Sequence, residues 1–89
     1  MASYSVFIKP SAVKELEGIP RRARQRLAQR IRTLSADPRP SGCEKLSGEE
    51  KYRIRQGNYR VVYAIDDDQR LVIVVKIGHR REVYRRRKP

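Results

Sequence analysis

The segment KYRIRQGNYRVVYAI, residues 51–65, constrains the fold more than any other part of the chain. Apolar and polar residues alternate in it on both sides of a Gly57-Asn58 pair. Alternation with a period of two is typical of a β-strand, and a glycine-asparagine pair favours a tight hairpin turn. The segment therefore predicts two antiparallel strands, at 51–56 and 59–65.

The predicted hairpin carries a row of arginines on one side. Tyr52 and Ile54 point to one face of the first strand, so Arg53 and Arg55 point to the other. Arg60 joins them if the register across the turn aligns the strands. The hairpin contains no acidic residue, and clustered arginines repel one another. We therefore expect the counter-charge of this row to come from an anion outside the chain.

Two helices are predicted before the hairpin. Pro10 suits a first helical turn, apolar residues follow at helical spacing, and Gly18 ends the pattern. Pro20 opens a second helix that extends to residue 34. Its apolar face comprises Ala23, Leu27, Ile31 and Leu34. Because the connection is so short, the two helices are predicted to form an antiparallel hairpin.

The remaining segments complete a small α+β domain. Residues 3–9 alternate like a first strand, 36–51 are rich in Pro, Gly and Ser like a loop, and 71–77 are nearly all apolar, as in a strand covered on both faces. Asp66, Asp67 and Asp68 favour a turn between the last two strands. The predicted order is β-α-α-β-β-β, with a helical hairpin packed on a small, mainly antiparallel sheet in one domain, 1–89.

The charge of the chain points to an anionic partner. Lys and Arg number 22 against 10 Asp and Glu, which gives a net charge of +12, and 16 of the 22 are Arg. Arginine favours planar, bidentate contacts with phosphate or carboxylate. Nucleic acid is therefore the first predicted partner class, an acidic protein the second, and a merely solvated basic surface the alternative to both.

Composition argues against several other classes. One cysteine, Cys43, cannot form an intramolecular disulfide, and one cysteine with one histidine are too few to build a zinc site from those two residue types. The start of the chain lacks the pattern of a secretory signal, and no apolar run is long enough to cross a bilayer. We expect a cytoplasmic protein with no membrane partner and no cofactor.

Three residues near the end of the chain are further candidates. Arg80 follows the last strand and is predicted to approach the arginine row from the far side. Tyr84 lies among arginines, where a ring can stack on a base while the arginines bind phosphates; the alternative is a tyrosine that anchors the C-terminus on the core. His79 can act as an acid or base near neutral pH, but strand alternation points it away from the row.

The segments YRIRQGNYRVVYAIDDD and VVKIGHRREVY closely resemble the RelE branch of the RelE/ParE toxins of bacterial type II toxin–antitoxin systems. FIKPSAVKELEGIP and KLSG extend the resemblance over nearly the whole chain. It implies an RNA endonuclease that enters the ribosomal A site and cuts mRNA without a metal, by attack of the 2′-hydroxyl on the adjacent phosphate. It also implies a cognate RelB-like antitoxin with an acidic segment that folds on binding, for which the basic helix 20–34 is a suitable docking surface.

The resemblance implies that the catalytic residues are Arg53, Arg55, Arg60, Arg80 and Tyr84. The best-known members carry Lys at the first two positions, and the second Lys is usually assigned as the general base. Because an arginine does not lose its proton in proteins, Arg55 is better suited to holding phosphate than to acting as a base. The base is then Tyr84, His79 or a group of the ribosome.

Two alternatives to the nuclease stay open. ParE-type toxins, which poison DNA gyrase by binding it, share much of the hairpin pattern. A protein that binds RNA or antitoxin without catalysis is the other alternative, because both lysines are replaced. Arg80 and Tyr84 favour the nuclease, since in the family the last strand and the tail hold the catalytic arginine and tyrosine.

Overall fold

A computed structural model of the chain describes residues 3–46, 48 and 50–79. Two helices and five strands follow in the order β1 (Ser5–Ile8), α1 (Pro10–Glu17), α2 (Arg21–Thr33), β2 (Glu44–Lys45), β3 (Lys51–Gln56), β4 (Tyr59–Asp66) and β5 (Leu71–His79). The predicted α+β class is confirmed, as are the helical hairpin and the hairpin of β3 and β4. Neither helix among the described residues is long and apolar enough to span a membrane.

The five strands form one mixed sheet in the order β1-β5-β4-β3-β2. β1 runs parallel to β5, and the other neighbours are antiparallel. The short strand β2 was not predicted, because the Pro-, Gly- and Ser-rich segment around it shows no alternation of its own. It forms by pairing with β3, where Glu44 lies opposite Arg53.

The turn between β3 and β4 follows from its two residues. Gly57 adopts a positive φ of 61°, whereas Asn58 is not among the residues with positive φ. This is the pattern of a type II′ turn, whose twist matches that of the flanking strands. The turn fixes the register of the hairpin, and Gln56 therefore lies opposite Tyr59.

The helices cover one face of the sheet and form the hydrophobic core there. The buried side chains of the helical layer are Ala12, Leu27, Ile31 and Leu34, and those of the sheet are Ile54, Val61, Tyr63, Val72, Val74 and Ile77. Tyr52 packs against this core, as the alternation predicted, and so does Tyr59. We call this side of the sheet the helix face and the opposite side, which neither α1 nor α2 covers, the open face.

A second set of contacts holds the loop after α2. The buried hydroxyl of Tyr63 donates a 2.7 Å hydrogen bond to the carbonyl of Pro38. Arg39 pairs with Asp67 at 2.9 Å, and Asp67 also accepts a 2.7 Å hydrogen bond from the hydroxyl of Tyr4. The Arg39 guanidinium lies over the ring of Tyr52, 5.1 Å from its centroid. These contacts tie the loop to the sheet and to the turn after β4.

Candidate functional site

The register of the hairpin brings the predicted arginines together on the open face. Arg55 lies directly opposite Arg60 across β3 and β4, and Arg53 lies opposite Val62, one step further along the same face. Directly opposite residues have Cβ atoms roughly 5 Å apart, and diagonal ones are within reach of long side chains. The prediction that Arg60 joins Arg53 and Arg55 is therefore confirmed. We call these three residues the arginine face.

The three arginines differ in depth. Arg55 is exposed, the side chain of Arg53 retains 20% of its accessible surface, and Arg60 retains 9%. Arg60 is the only charged residue that is buried in the described part of the chain. The arginine face therefore combines an exposed charge, Arg55, with a buried charge, Arg60, directly opposite it on the neighbouring strand.

Arg60 is buried without an acceptor for its Nε–H group. Within residues 3–46, 48 and 50–79, no hydrogen-bond partner lies in reach of this nitrogen. Burying a polar or charged group without a partner costs stability, and buried charges in proteins are usually paired. The fold therefore holds on the open face a guanidinium whose Nε–H is both desolvated and without an acceptor among the described residues.

On the side of β4 that faces β5, the neighbour of Arg60 is a glycine. Gly78 of β5 lies directly opposite Arg60. Position 78 of β5 therefore adds no side chain to the open face opposite Arg60. Arg80 and Tyr84, the last two predicted catalytic residues, lie outside the described residues.

Arg53 does not match the expectation of unpaired arginines. It forms an ion pair with Glu44 of β2, the residue directly opposite it. The expectation that the counter-charge of Arg53 comes from outside the chain was wrong, because it rested only on the absence of acids within the hairpin. Glu44 precedes the hairpin in sequence and reaches it through the pairing of β2 with β3. Glu44 is thus a site residue that sequence reasoning missed.

His79 lies on the helix face, away from the arginine face, as predicted. It is opposite Tyr59, and the two rings meet edge to face with centroids 5.8 Å apart. Both line a cavity of about 390 Å³ between the end of α1 and the end of β5. Glu15 of α1 closes this region by pairing with Lys76 and accepting a 2.9 Å hydrogen bond from the backbone N–H of Ile77. The sheet therefore separates His79 from the arginine face.

A second basic surface lies on α2. Arg22, Arg26 and Arg30 are spaced by four residues and line a groove of about 360 Å³ together with Gln56 of β3. The helix contains no acidic residue. Like charges four residues apart on a helix destabilise it slightly, so the row is better explained by an anionic partner than by helix stability. This basic surface and the arginine face belong to opposite layers of the domain.

Cys43 and Asp66 both have structural roles. Cys43 is half-buried and packs against the core. Asp66 accepts a 3.0 Å hydrogen bond from the backbone N–H of Gln69, which confirms the predicted turn. Among the described residues, histidine, cysteine and acidic side chains form no group of three that could hold a metal ion.

The fold and the arginine face together define a small basic α+β protein with cationic groups on the sheet face opposite its two helices. The family model described as the ParE toxin of the type II toxin–antitoxin system parDE matches residues 6–84. A curated relative, the putative toxin RelE1 of Methanocaldococcus jannaschii, is 31% identical over 86 residues, covering 92% of this chain and 96% of the relative.

Two solved structures share the fold. The toxin–antitoxin complex RelBE2 from Mycobacterium tuberculosis contains a chain that matches with a TM-score of 0.79 and 27% identity, over 89% of this chain and 93% of that one. The archaeal RelE–RelB complex from Pyrococcus horikoshii OT3 matches with a TM-score of 0.79 and 28% identity, over 88% and 96% of the two chains. The chain therefore belongs to the RelE/ParE family of type II toxins, and it is a RelE-like member of that family.

Proposed function

We propose that this RelE-like toxin is an endonuclease that cuts mRNA on the ribosome and thereby stops translation in the cytoplasm. The observation that carries the proposal is the arginine face, on which the buried Arg60 lies opposite Arg55 without an acceptor for its Nε–H. A guanidinium held in place before the substrate arrives needs no reorganisation when charge develops on phosphate. Arg60 is therefore suited to stabilising the phosphorane-like transition state.

The reaction that suits this site is internal transfer at phosphorus. The 2′-hydroxyl of the RNA loses its proton to a base and attacks the adjacent phosphorus. The bond to the 5′-oxygen breaks, leaving a 2′,3′-cyclic phosphate, and the 5′-oxygen takes up a proton. Arg53, Arg55 and Arg60 would share the negative charge of the phosphate oxygens, and Arg80 would act near the leaving oxygen.

The general base is a separate requirement, because an arginine does not deprotonate in proteins. The position of His79 on the helix face argues against it as the base, since the sheet lies between it and the arginine face. Tyr84 and a group of the ribosome are then the candidates. If the base belongs to the ribosome, cleavage of free RNA will be far slower than cleavage of translating mRNA.

We further propose that a RelB-like antitoxin neutralises the toxin. Two similar structures are toxin–antitoxin complexes, and their toxin chains share this fold. Antitoxin segments that are acidic and fold on binding would find a complementary surface on α2, along Arg22, Arg26 and Arg30. The net charge of +12 would then serve both RNA and antitoxin.

A ParE-like inhibitor of DNA gyrase is the second candidate, and the description of the matching family model favours it. Primer extension on a defined mRNA in a purified translation system separates the two. We expect cuts within the A-site codon with the wild-type protein and a loss of about 10²-fold or more in rate with Arg60→Gln. Arg70→Gln, which removes an exposed arginine from the turn before β5, is the matched control and should cut normally. Gyrase-dependent DNA breaks without mRNA cuts would refute the nuclease and support the inhibitor.

A further inference from the structure

The two-residue strand β2 places an acid against the arginine face. Glu44 lies opposite Arg53, and their side chains form an ion pair with 50% and 20% of their surfaces exposed. The neighbouring Glu50 differs in this respect. It pairs with Lys45 at 3.7 Å, and its side chain is 92% exposed. Glu44 thus contacts an arginine of the proposed RNA site. Glu50 instead pairs with Lys45, which lies outside that site.

We propose that Glu44 competes with RNA phosphate for Arg53 and so limits how tightly the arginine face binds RNA. The inference rests on the proposed function. A carboxylate and a phosphate present similar oxygen acceptors to a guanidinium, so one can replace the other. For a phosphate to bind Arg53 through the atoms that now hold Glu44, the ion pair has to open.

The exposure of the pair sets the size of this effect. Half of the Glu44 side chain surface is in contact with solvent, and ion pairs this exposed are weak. Removing the competing carboxylate is therefore expected to tighten RNA binding by about two- to fivefold. Glu44 limits binding to Arg53 without blocking it.

The salt dependence of binding gives a second signature. A phosphate that pairs with an arginine releases counterions, and each such contact on a single strand makes the negative slope of log K against log salt steeper by about 0.7. When Glu44 is displaced, its charge is again screened by cations from solution, which offsets part of this release. Replacing Glu44 with a neutral residue is therefore expected to steepen the slope by up to about 0.7.

The test compares Glu44→Gln with Glu50→Gln, which makes the same change in net charge in the same segment. The probe is a fluorescent single-stranded 2′-O-methyl oligoribonucleotide, which cannot supply the attacking 2′-hydroxyl. Anisotropy titrations at several salt concentrations give the affinity and the slope. We expect a higher affinity and a steeper negative slope in Glu44→Gln than in Glu50→Gln. The gain should vanish in an Arg53→Gln background, because the residue for which Glu44 competes is then absent.

The outcomes distinguish the two proposals. Wild-type binding that Arg55→Gln leaves unchanged would overturn the proposed function, and the role of Glu44 with it. Binding that depends on Arg55 but is equal in Glu44→Gln and Glu50→Gln would overturn the role of Glu44 alone, as would a gain that persists without Arg53. If Glu44→Gln fails to fold, Glu44→Asp replaces it. Its shorter side chain draws the charge back from Arg53, so it should also bind RNA more tightly than wild type, and equal or weaker binding would refute the competition.

Discussion

Replacing Arg60 with methionine should make the free toxin more stable while abolishing its activity. Arg60 retains 9% of its accessible surface, and its Nε–H has no acceptor among the described residues. Methionine is unbranched and flexible, so it can fill the space of the Arg60 methylene stem without a charge. The substitution therefore removes an unsatisfied buried group and the repulsion with Arg55, which lies directly opposite.

The expected magnitude follows from the cost of an unsatisfied buried group. Such a group typically costs about 1–3 kcal/mol, and more when it is charged. In a domain of this size, each 1 kcal/mol shifts the midpoint of thermal unfolding by about 4–8 °C. Arg60→Met is therefore expected to raise the melting temperature by at least about 4 °C. Arg55→Met is the matched control, and because Arg55 is exposed, it should change stability by no more than about 0.5 kcal/mol.

The assay is thermal and urea unfolding of the free toxin with and without added phosphate. Phosphate that binds the native arginine face should stabilise the wild type, and Arg60→Met should lose much of this gain. A lower melting temperature for Arg60→Met would refute the reasoning, because it would mean that Arg60 contributes to native packing. An unchanged phosphate response would show that the anion binds elsewhere.

Three further expectations concern the base, the loop after α2 and the core. Arg55→Lys should speed cleavage of translating mRNA in single-turnover primer extension, because a lysine crowded by cations can lose its proton; an unchanged rate would contradict the protonation argument. Asp67→Asn should lower stability to urea at neutral pH. Hydrogen bonds from Arg39 and then Tyr4 lower the pKa of Asp67, so its contribution is present above the unfolded pKa of about 4 and lost as pH falls through the lower folded pKa. The difference from wild type should therefore shrink in acid, and a difference that grows there would contradict this sign. Leu27→Ala, at a fully buried position of α2, should cost about 2–5 kcal/mol in urea unfolding, and a cost under 1 kcal/mol would contradict the packing described here.

The pairing of β3 with β4 could be predicted because the sequence contains both of its determinants. Alternation assigns Arg53 and Arg55 to one face, and Gly57 supplies the positive φ that a two-residue turn needs. Once the turn is fixed, Arg60 must lie opposite Arg55. The arginine face is in this sense a local property of fifteen consecutive residues, 51–65.

The partner of Arg53 could not be predicted in the same way. Glu44 reaches Arg53 only because β2 adds to the sheet beside β3, and a two-residue strand has no period that a sequence pattern could reveal. The shift in register at Val62 and Tyr63 is invisible for a similar reason, since it depends on how β4 pairs with β5. Both features depend on pairing between strands that are distant in sequence, which a local sequence pattern does not determine.

The burial of Arg60 is a third property that alternation does not determine, because a period of two assigns a residue to a face but not to a depth. Depth bears on the division of labour within the site. Arg55 is exposed and can bind an incoming phosphate directly. Arg53 has to give up its ion pair with Glu44 before those atoms can bind the phosphate. Arg60 is already desolvated, and charge stabilisation in a water-poor site is stronger than at an exposed one. We therefore expect Arg60 to contribute most to the chemical step, whereas Arg55 and Arg53 contribute mainly to binding. Single-turnover rates and binding constants measured for each arginine changed to glutamine would contradict this division if Arg55→Gln slowed the chemical step as much as Arg60→Gln did.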